Sequence, residues 1–253
     1  MDQYEDRRTS WTAAEVAVTY DRGRPGYPAQ AVAFALEPLR GRPDLRAVDV
    51  GAGTGKLTQV LCAAGVETVA VEPATGMLKV LKHVVSRAQV LAGSAEELPL
   101  PDASVDLVAV GQAFHWFDLP RAVPELARVL RPGGRLALFY NSRDASVAWV
   151  RALAGIVGDH ADHAGAHRQQ DPAVMGPFQP EELRRFRHEQ ELDAAGLVDL
   201  VGSRSYVIRL PDEERAALLG RVVELTRLHP QLVGRQHFAM PYVTSVQRYT
   251  LRS

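Results

Sequence analysis

Residues 47–72, AVDVGAGTGKLTQVLCAAGVETVAVE, leave this chain little choice of fold. Ala47, Val48, Asp49 and Val50 form a short apolar run bounded by turn residues, the pattern of a buried parallel strand. Gly51, Gly53 and Gly55 follow as a turn in which a ligand can approach bare backbone. Residues 56–64 have helical spacing, and Gly65 is placed to end that helix. Thr68, Val69, Ala70 and Val71 are β-branched or small and apolar, and Glu72 stands where this second strand runs out. A strand–turn–helix–strand unit puts a helix N-terminus and a carboxylate on one crevice, at the carboxyl ends of the strands. Such a unit is built to hold a nucleoside.

The glycine spacing narrows the choice of nucleoside. The dinucleotide fingerprint needs G-x-G-x-x-G, whereas the third glycine here comes two residues after the second. A P-loop needs G-x-x-x-x-G-K-[ST], but Val50 stands at the first glycine position and Leu57 follows Lys56. A nicotinamide-dependent oxidoreductase is therefore disfavoured, and no Tyr-x-x-x-Lys relay supports it. Glu72, about twenty residues past the first glycine, suits a partner for ribose hydroxyls.

The ordered set VDVGAGTGKLT, AVEP..GML, GSAEELPLPDASVDLV, GQAFHWFD and RVLRPGGRLAL resembles the class I S-adenosylmethionine-dependent methyltransferases of the type 11 family. With RPGYP upstream, it is similar to the small-molecule branch that includes trans-aconitate methyltransferase-like proteins. The resemblance runs from about residue 20 to residue 143. It implies that residues 1–28 cap the cofactor, with Tyr27 in the site and the Arg24 guanidinium suited to a methionyl carboxylate. Asp49 would contact the cofactor amino group directly or through water, or else orient the glycine turn. Gly51, Ala52, Gly53 and Gly55 would line the methionyl and ribose side, with Glu72 and Pro73 next to them. Met77 would pack on adenine, its thioether suiting a flat base. Ser94, Ala95 and Glu96 would lie near the adenine amino group; relatives commonly carry Asp where this chain has Ser94. Gln112 would line the methyl-transfer corridor. His115 is either a proton acceptor, as a neutral imidazole near pH 7, or a helix-start residue packed between Phe114 and Trp116.

Composition fits this picture. With 253 residues, 46% apolar and 23% charged, the chain suits one α/β domain with a subdomain. A net charge of −1, with no basic block or stripe and no Asn/Asp-Pro-Pro-Tyr motif, argues against a nucleic-acid partner. The single cysteine, Cys62, excludes an intramolecular disulfide framework and reads as a buried, inert thiol. The polar start lacks an apolar signal core and no run reaches membrane-spanning length, so a cytoplasmic protein without a membrane partner is expected, as monomer or homodimer.

Along the rest of the chain, residues 29–39 read as a helix, 75–86 as a helix, 89–92 as the third strand and 104–110 as the fourth. Residues 120–130 read as an amphipathic helix and 135–140 as the fifth strand. Residues 147–157 are helical in pattern with Trp149 in the core, and residues 145–195 read as an inserted lid that shapes the acceptor pocket. His160, His163 and His167 share one helical face there, but neither HExxH nor a cysteine pair accompanies them, so no metal is expected. Residues 178–191 read as a charged helix, 197–209 as the sixth strand, 211–228 as a helix with acidic first turn, and 238–251 as a last strand inserted antiparallel between strands five and six. Tyr242 and Tyr249 read as packing residues. The expected architecture is a Rossmann-like, mostly parallel α/β sheet of seven strands with helices on both faces and a small helical lid. The resemblance implies transfer of a methyl group from S-adenosyl-L-methionine to an oxygen, nitrogen or carbon nucleophile of a small molecule. The alternative is a protein of the same fold that binds this nucleoside for another reaction or as a sensor.

Overall fold

The computed structural model describes residues 17, 21–158 and 175–252. Seven strands form one sheet in the order β3-β2-β1-β4-β5-β7-β6. In chain order the elements are α1 (Ala29–Leu36), β1 (Arg46–Val50), α2 (Lys56–Ala63), β2 (Glu67–Glu72), α3 (Thr75–Val84) and β3 (Gln89–Ala92). Then come β4 (Val105–Gly111), α4 (Leu119–Val129), β5 (Leu130–Arg143), α5 (Ala148–Val157) and β6 (Phe178–Leu192). The last are α6 (Ala194–Gly202), α7 (Ser205–Ile208), α8 (Asp212–Leu228) and β7 (Phe238–Leu251).

The first five strands are parallel, and β7 runs antiparallel between β5 and β6. Strands buried on both faces need near-continuous apolar runs, and residues 47–50 and 105–110 read so apart from Asp49 and Asp106. One face packs Val48, Val50, Val108 and Leu138 against Val123 and Leu126 of α4. The other packs Ala47, Leu107 and Phe139 against Phe34 of α1 and Leu57 and Leu61 of α2. Strand order reverses between β1 and β4, opening a crevice at their carboxyl ends.

At the opposite, amino end of β4, Asp106 ties the bottom of the sheet. One oxygen accepts Arg42 Nη1 (2.8 Å), the other Arg46 N (3.0 Å) and Arg131 Nη1 (2.8 Å). Burial alone would raise this carboxyl; the Arg46 amide and the two guanidinium groups outweigh it and hold it below its ordinary value.

Two elements depart from the sequence reading. Residues 178–191, expected as a helix, form the edge strand β6, and residues 197–209, expected as strand six, are helical. Phe186, His188, Gln190 and Leu192 are the less exposed positions, a period of two, with charged residues between them. That charge suits the outermost strand, where it discourages pairing with other sheets. In α6, Leu197, Leu200 and Val201 are buried at helical spacing, and Asp193 caps the helix by accepting Gly196 N at 2.7 Å. The last strand is inserted as expected, and 212–228 is the helix foreseen after Pro211.

Helices α5, α6 and α8 build a separate apolar cluster with the carboxyl end of β6 and the start of β7. Trp149, Leu153, Leu197, Leu200, Val222 and Met240 are its centre. These helices sit beyond the carboxyl ends of the strands. This helical cluster draws on residues 148–157 and 194–228, while residues 178–192, within the expected 145–195 lid, belong to the sheet. The triad His160, His163 and His167 lies outside the described residues. No described helix is long and apolar enough to cross a membrane. Cys62 is buried and unpaired with other cysteines, and Tyr242 and Tyr249 are buried among apolar side chains.

Candidate cofactor and acceptor site

The turn after β1 is shaped by three glycines with positive φ: Gly51 (69°), Gly53 (58°) and Gly55 (93°). They serve different purposes. A Cβ on Gly51 would meet Ala113 at 2.7 Å, and one on Gly55 would meet Leu81 at 2.6 Å, so both are demanded by packing. A Cβ on Gly53 would meet nothing within 4 Å: its bare face opens onto the crevice. Gly51 N and Ala52 N bond to the Val71 carbonyl, fixing the turn against the end of β2.

Glu72, at the end of β2, accepts Gly53 N at one oxygen and Ala74 N at the other, both at 2.9 Å. The strand-end carboxylate and the open glycine are thus one unit.

Asp49 is buried one strand away. Its Oδ2 accepts the Thr58 hydroxyl at 2.6 Å, and its Oδ1 is buried with no hydrogen-bond partner. Burial pushes the carboxyl up to about 7; the Thr58 bond opposes the rise and the Glu72 charge adds to it. The Thr54 hydroxyl, in the same turn, is likewise buried without a partner. Two orphaned oxygens, one at the end of β1 and one in the glycine turn that follows, are costly unless a ligand group meets them.

The other predicted residues lie on the segments that follow β2, β3 and β4 or precede α1. Met77 is buried in one cluster with Ala74 and Ala17, beside the end of β2. Pro73 is exposed beside it. Ser94 forms a bridge with Glu97, and Ala95 is buried in the main core. Glu96 accepts the Asp118 amide at 3.0 Å and so caps the start of α4. Tyr27 packs edge-on to Phe139, its hydroxyl against Gly111, where a Cβ would come within 2.7 Å. Arg24 is half-buried in the same segment. Gln112, directly after β4, has φ 55° and donates its Nε2 to the Asn141 carbonyl at 2.7 Å. A non-glycine residue held in this conformation is strained, and such strain concentrates at functional sites. His115 lies in a single 3-10 turn (Phe114–Trp116), its ring 4.8 Å from that of Trp116.

Sequence reasoning missed Thr54, Thr58, Asn141 and His188. Thr58 carried a usable signal: it sits on the first turn of α2, the turn that faces back toward Asp49. Asn141 and His188 carried none, since their meeting depends on β6 and β7 lying beside β5.

Comparison with known proteins agrees with this geometry. The family described as a methyltransferase domain matches residues 48–138. An uncharacterized methyltransferase of Mycobacterium tuberculosis is 44% identical over 232 residues, covering 92% of each chain. Among solved structures, a candidate type II methyltransferase from Anaeromyxobacter dehalogenans superposes with a TM-score of 0.68 at 24% identity, over 90% of this chain and 97% of that one. A phosphoethanolamine N-methyltransferase of Haemonchus contortus, solved with phosphomonomethylethanolamine and S-adenosylhomocysteine, superposes with a TM-score of 0.55 at 13% identity, over all of this chain and 61% of that one. These two structures show the fold; the 44% relative shows the family. The chain is an enzyme that methylates, and it belongs to the type 11 family of class I S-adenosylmethionine-dependent methyltransferases.

Proposed function

We propose that this methyltransferase transfers the methyl group of S-adenosyl-L-methionine to a small-molecule nucleophile by in-line displacement. The observation that carries the cofactor assignment is the orphaned Asp49 Oδ1 beside the open face of Gly53 and the Glu72 carboxylate. These residues fit the group. A cationic amino group suits a buried carboxylate oxygen that lacks a partner. Ribose hydroxyls suit a strand-end carboxylate such as Glu72. The bare Gly53 backbone lets the nucleoside come close. Met77 supports the adenine side, Arg24 and Tyr27 close over the methionyl side, and Gln112 faces the transfer corridor.

When bound, the cofactor supplies a methyl group already activated by a sulfonium. The protein's own work is alignment of nucleophile, methyl and sulfur, and exclusion of water. The helices that follow β5 and β6 form the wall where acceptor contacts arise. His115 serves as proton acceptor only where the nucleophile must lose a proton.

Calorimetric titration with S-adenosylhomocysteine tests the reading. Wild type should bind one equivalent, and Glu72→Ala should weaken binding roughly tenfold or more through loss of the charged acceptor. Absence of binding to wild type sinks it. Release of S-adenosylhomocysteine from S-adenosylmethionine, stimulated by an acceptor from a panel of phenols, amines and carboxylates, distinguishes methyl transfer from nucleoside binding alone.

A further inference from the structure

Residues 21–27 cross the carboxyl edge of the sheet and touch several elements. Asp21 pairs with Lys56 of α2 at 3.1 Å, and Arg22 with Asp199 of α6 at 3.4 Å. Gly23 lies so close to α6 that a Cβ would come within 2.8 Å of the Leu200 backbone. Gln190 Nε2 donates to the Gly23 carbonyl at 3.2 Å, and Asn141 Nδ2 to the Gly26 carbonyl at 2.9 Å. Solvent-reached ion pairs hold a segment weakly. Asn141 is buried, and a buried donor that loses its acceptor costs more than an exposed bond contributes.

The orientation of the Asn141 amide follows from its partners. The Gly26 carbonyl can only accept, so Nδ2 faces it and Oδ1 faces the sheet. There Oδ1 accepts the Thr244 hydroxyl of β7 and pairs with His188 Nε2 of β6 at 3.3 Å. His188 therefore carries a proton on Nε2, its ring stacked on Tyr242. The main-chain carbonyl of the same residue takes the Gln112 side chain. One residue at the end of β5 thus joins the segment carrying Arg24 and Tyr27 to the strained turn after β4.

We infer that Asn141 is a positioning residue for cofactor binding: its Nδ2–H bond to the Gly26 carbonyl latches residues 23–27 over the crevice, with β6 and β7 holding the amide in the one orientation that can make that bond. This rests on the reading of the crevice as the S-adenosylmethionine site.

Asn141→Asp isolates the latch. It preserves size and an oxygen for Thr244 and His188, but sets a second acceptor against the Gly26 carbonyl. Two measurements on the full chain are needed, S-adenosylhomocysteine affinity by calorimetry and the rate of trypsin cleavage at Arg22–Gly23. The variant should bind about tenfold more weakly and be cut several-fold faster at that bond, with other cleavage sites unchanged. Asn141→Ala, which removes the donor without adding charge, replaces it if the aspartate variant does not fold. Asp199→Ala, which removes only the solvent-reached pair with Arg22 and leaves every bond of the Asn141 amide in place, should bind within about twofold of wild type. Wild-type affinity in both Asn141 variants overturns the inference, whether or not cleavage accelerates, because a purely structural strap would loosen without affecting the nucleoside. Failure of wild type to bind overturns instead the cofactor assignment beneath it.

Discussion

Two buried aspartates on neighbouring strands stand at opposite ends of the sheet and meet opposite fates. Asp106, at the amino end of β4, has both oxygens taken by Arg42, Arg131 and the Arg46 amide. Asp49, at the carboxyl end of β1, has one oxygen on Thr58 and the other on nothing. Both carboxyls are buried, and burial is the largest influence on each. At Asp106 the surrounding donors overcome it; at Asp49 the bonding from Thr58 does not. The end of the molecule that needs only stability is satisfied internally. The end proposed to meet the cofactor leaves a buried acceptor without a donor of the chain's own.

The largest expected effect comes from breaking the satisfied end. Asp106→Ala strands three donors and should cost about 2–3 kcal/mol, somewhat under the value for a fully buried pair because water reaches the two arginines. Urea unfolding measures it, and S-adenosylhomocysteine affinity of the folded variant should stay unchanged. The acid dependence has a definite sign. A folded-state value below the ordinary 3.8 makes the Asp106 contribution complete above that pH and lost as pH falls further, so wild type should lose more stability than the variant in acid.

Asp49→Asn attacks the other end and should separate binding from stability. The folded-state value of about 7 lies above the ordinary 3.8, so the folded chain retains a proton that the unfolded chain has lost. Stability from this group therefore falls as pH rises between those values. The asparagine variant avoids that cost and should melt higher than wild type at pH 8. It should also bind S-adenosylhomocysteine about 2 kcal/mol more weakly, roughly thirtyfold, for want of the charged acceptor. A cationic amino group meeting Asp49 should drive off about half a proton at pH 7 in wild type and none in the variant. Titration in buffers of different ionisation enthalpy reads this, and equal proton counts in the two proteins would place the amino group elsewhere.

The smallest effect separates a glycine needed for packing from one needed for the ligand. Gly53→Ala puts a methyl into open space at positive φ and should cost about 1 kcal/mol, or 2–4 °C in melting midpoint, while weakening nucleoside binding. Gly55→Ala drives a methyl into Leu81 and Val85 and should lose clearly more stability. Equal effects of the two on binding and on stability would erase the distinction.

Much of this site was legible because it is local in the chain. Asp49, the three glycines and Glu72 fall within 24 consecutive residues, and strand–turn–helix–strand connectivity alone brings them to one crevice. The helix 212–228 and the strand 238–251 were legible for the same reason, from caps and alternation within themselves. The stretch 178–191 was not, because a run dense in Glu and Arg suits a solvated helix and an edge strand equally. Only the pairing of residues 178–192 with β7 decides between them. Nor was Glu96, whose carboxylate goes to the Asp118 amide across a loop.

The sequence by itself determined the fold class, the family and the meeting of Asp49, the three glycines and Glu72 at one crevice, since each rests on short-range pattern and backbone geometry. Tertiary structure alone decided that Asp49 is left with an orphaned oxygen while Asp106 is not, because a carboxyl's state depends on which donors the rest of the chain brings to it. It alone also gathered Gly26, Gln112, Asn141, His188 and Thr244 from five parts of the chain into one polar cluster. Their contacts exist only once β7 has inserted between β5 and β6.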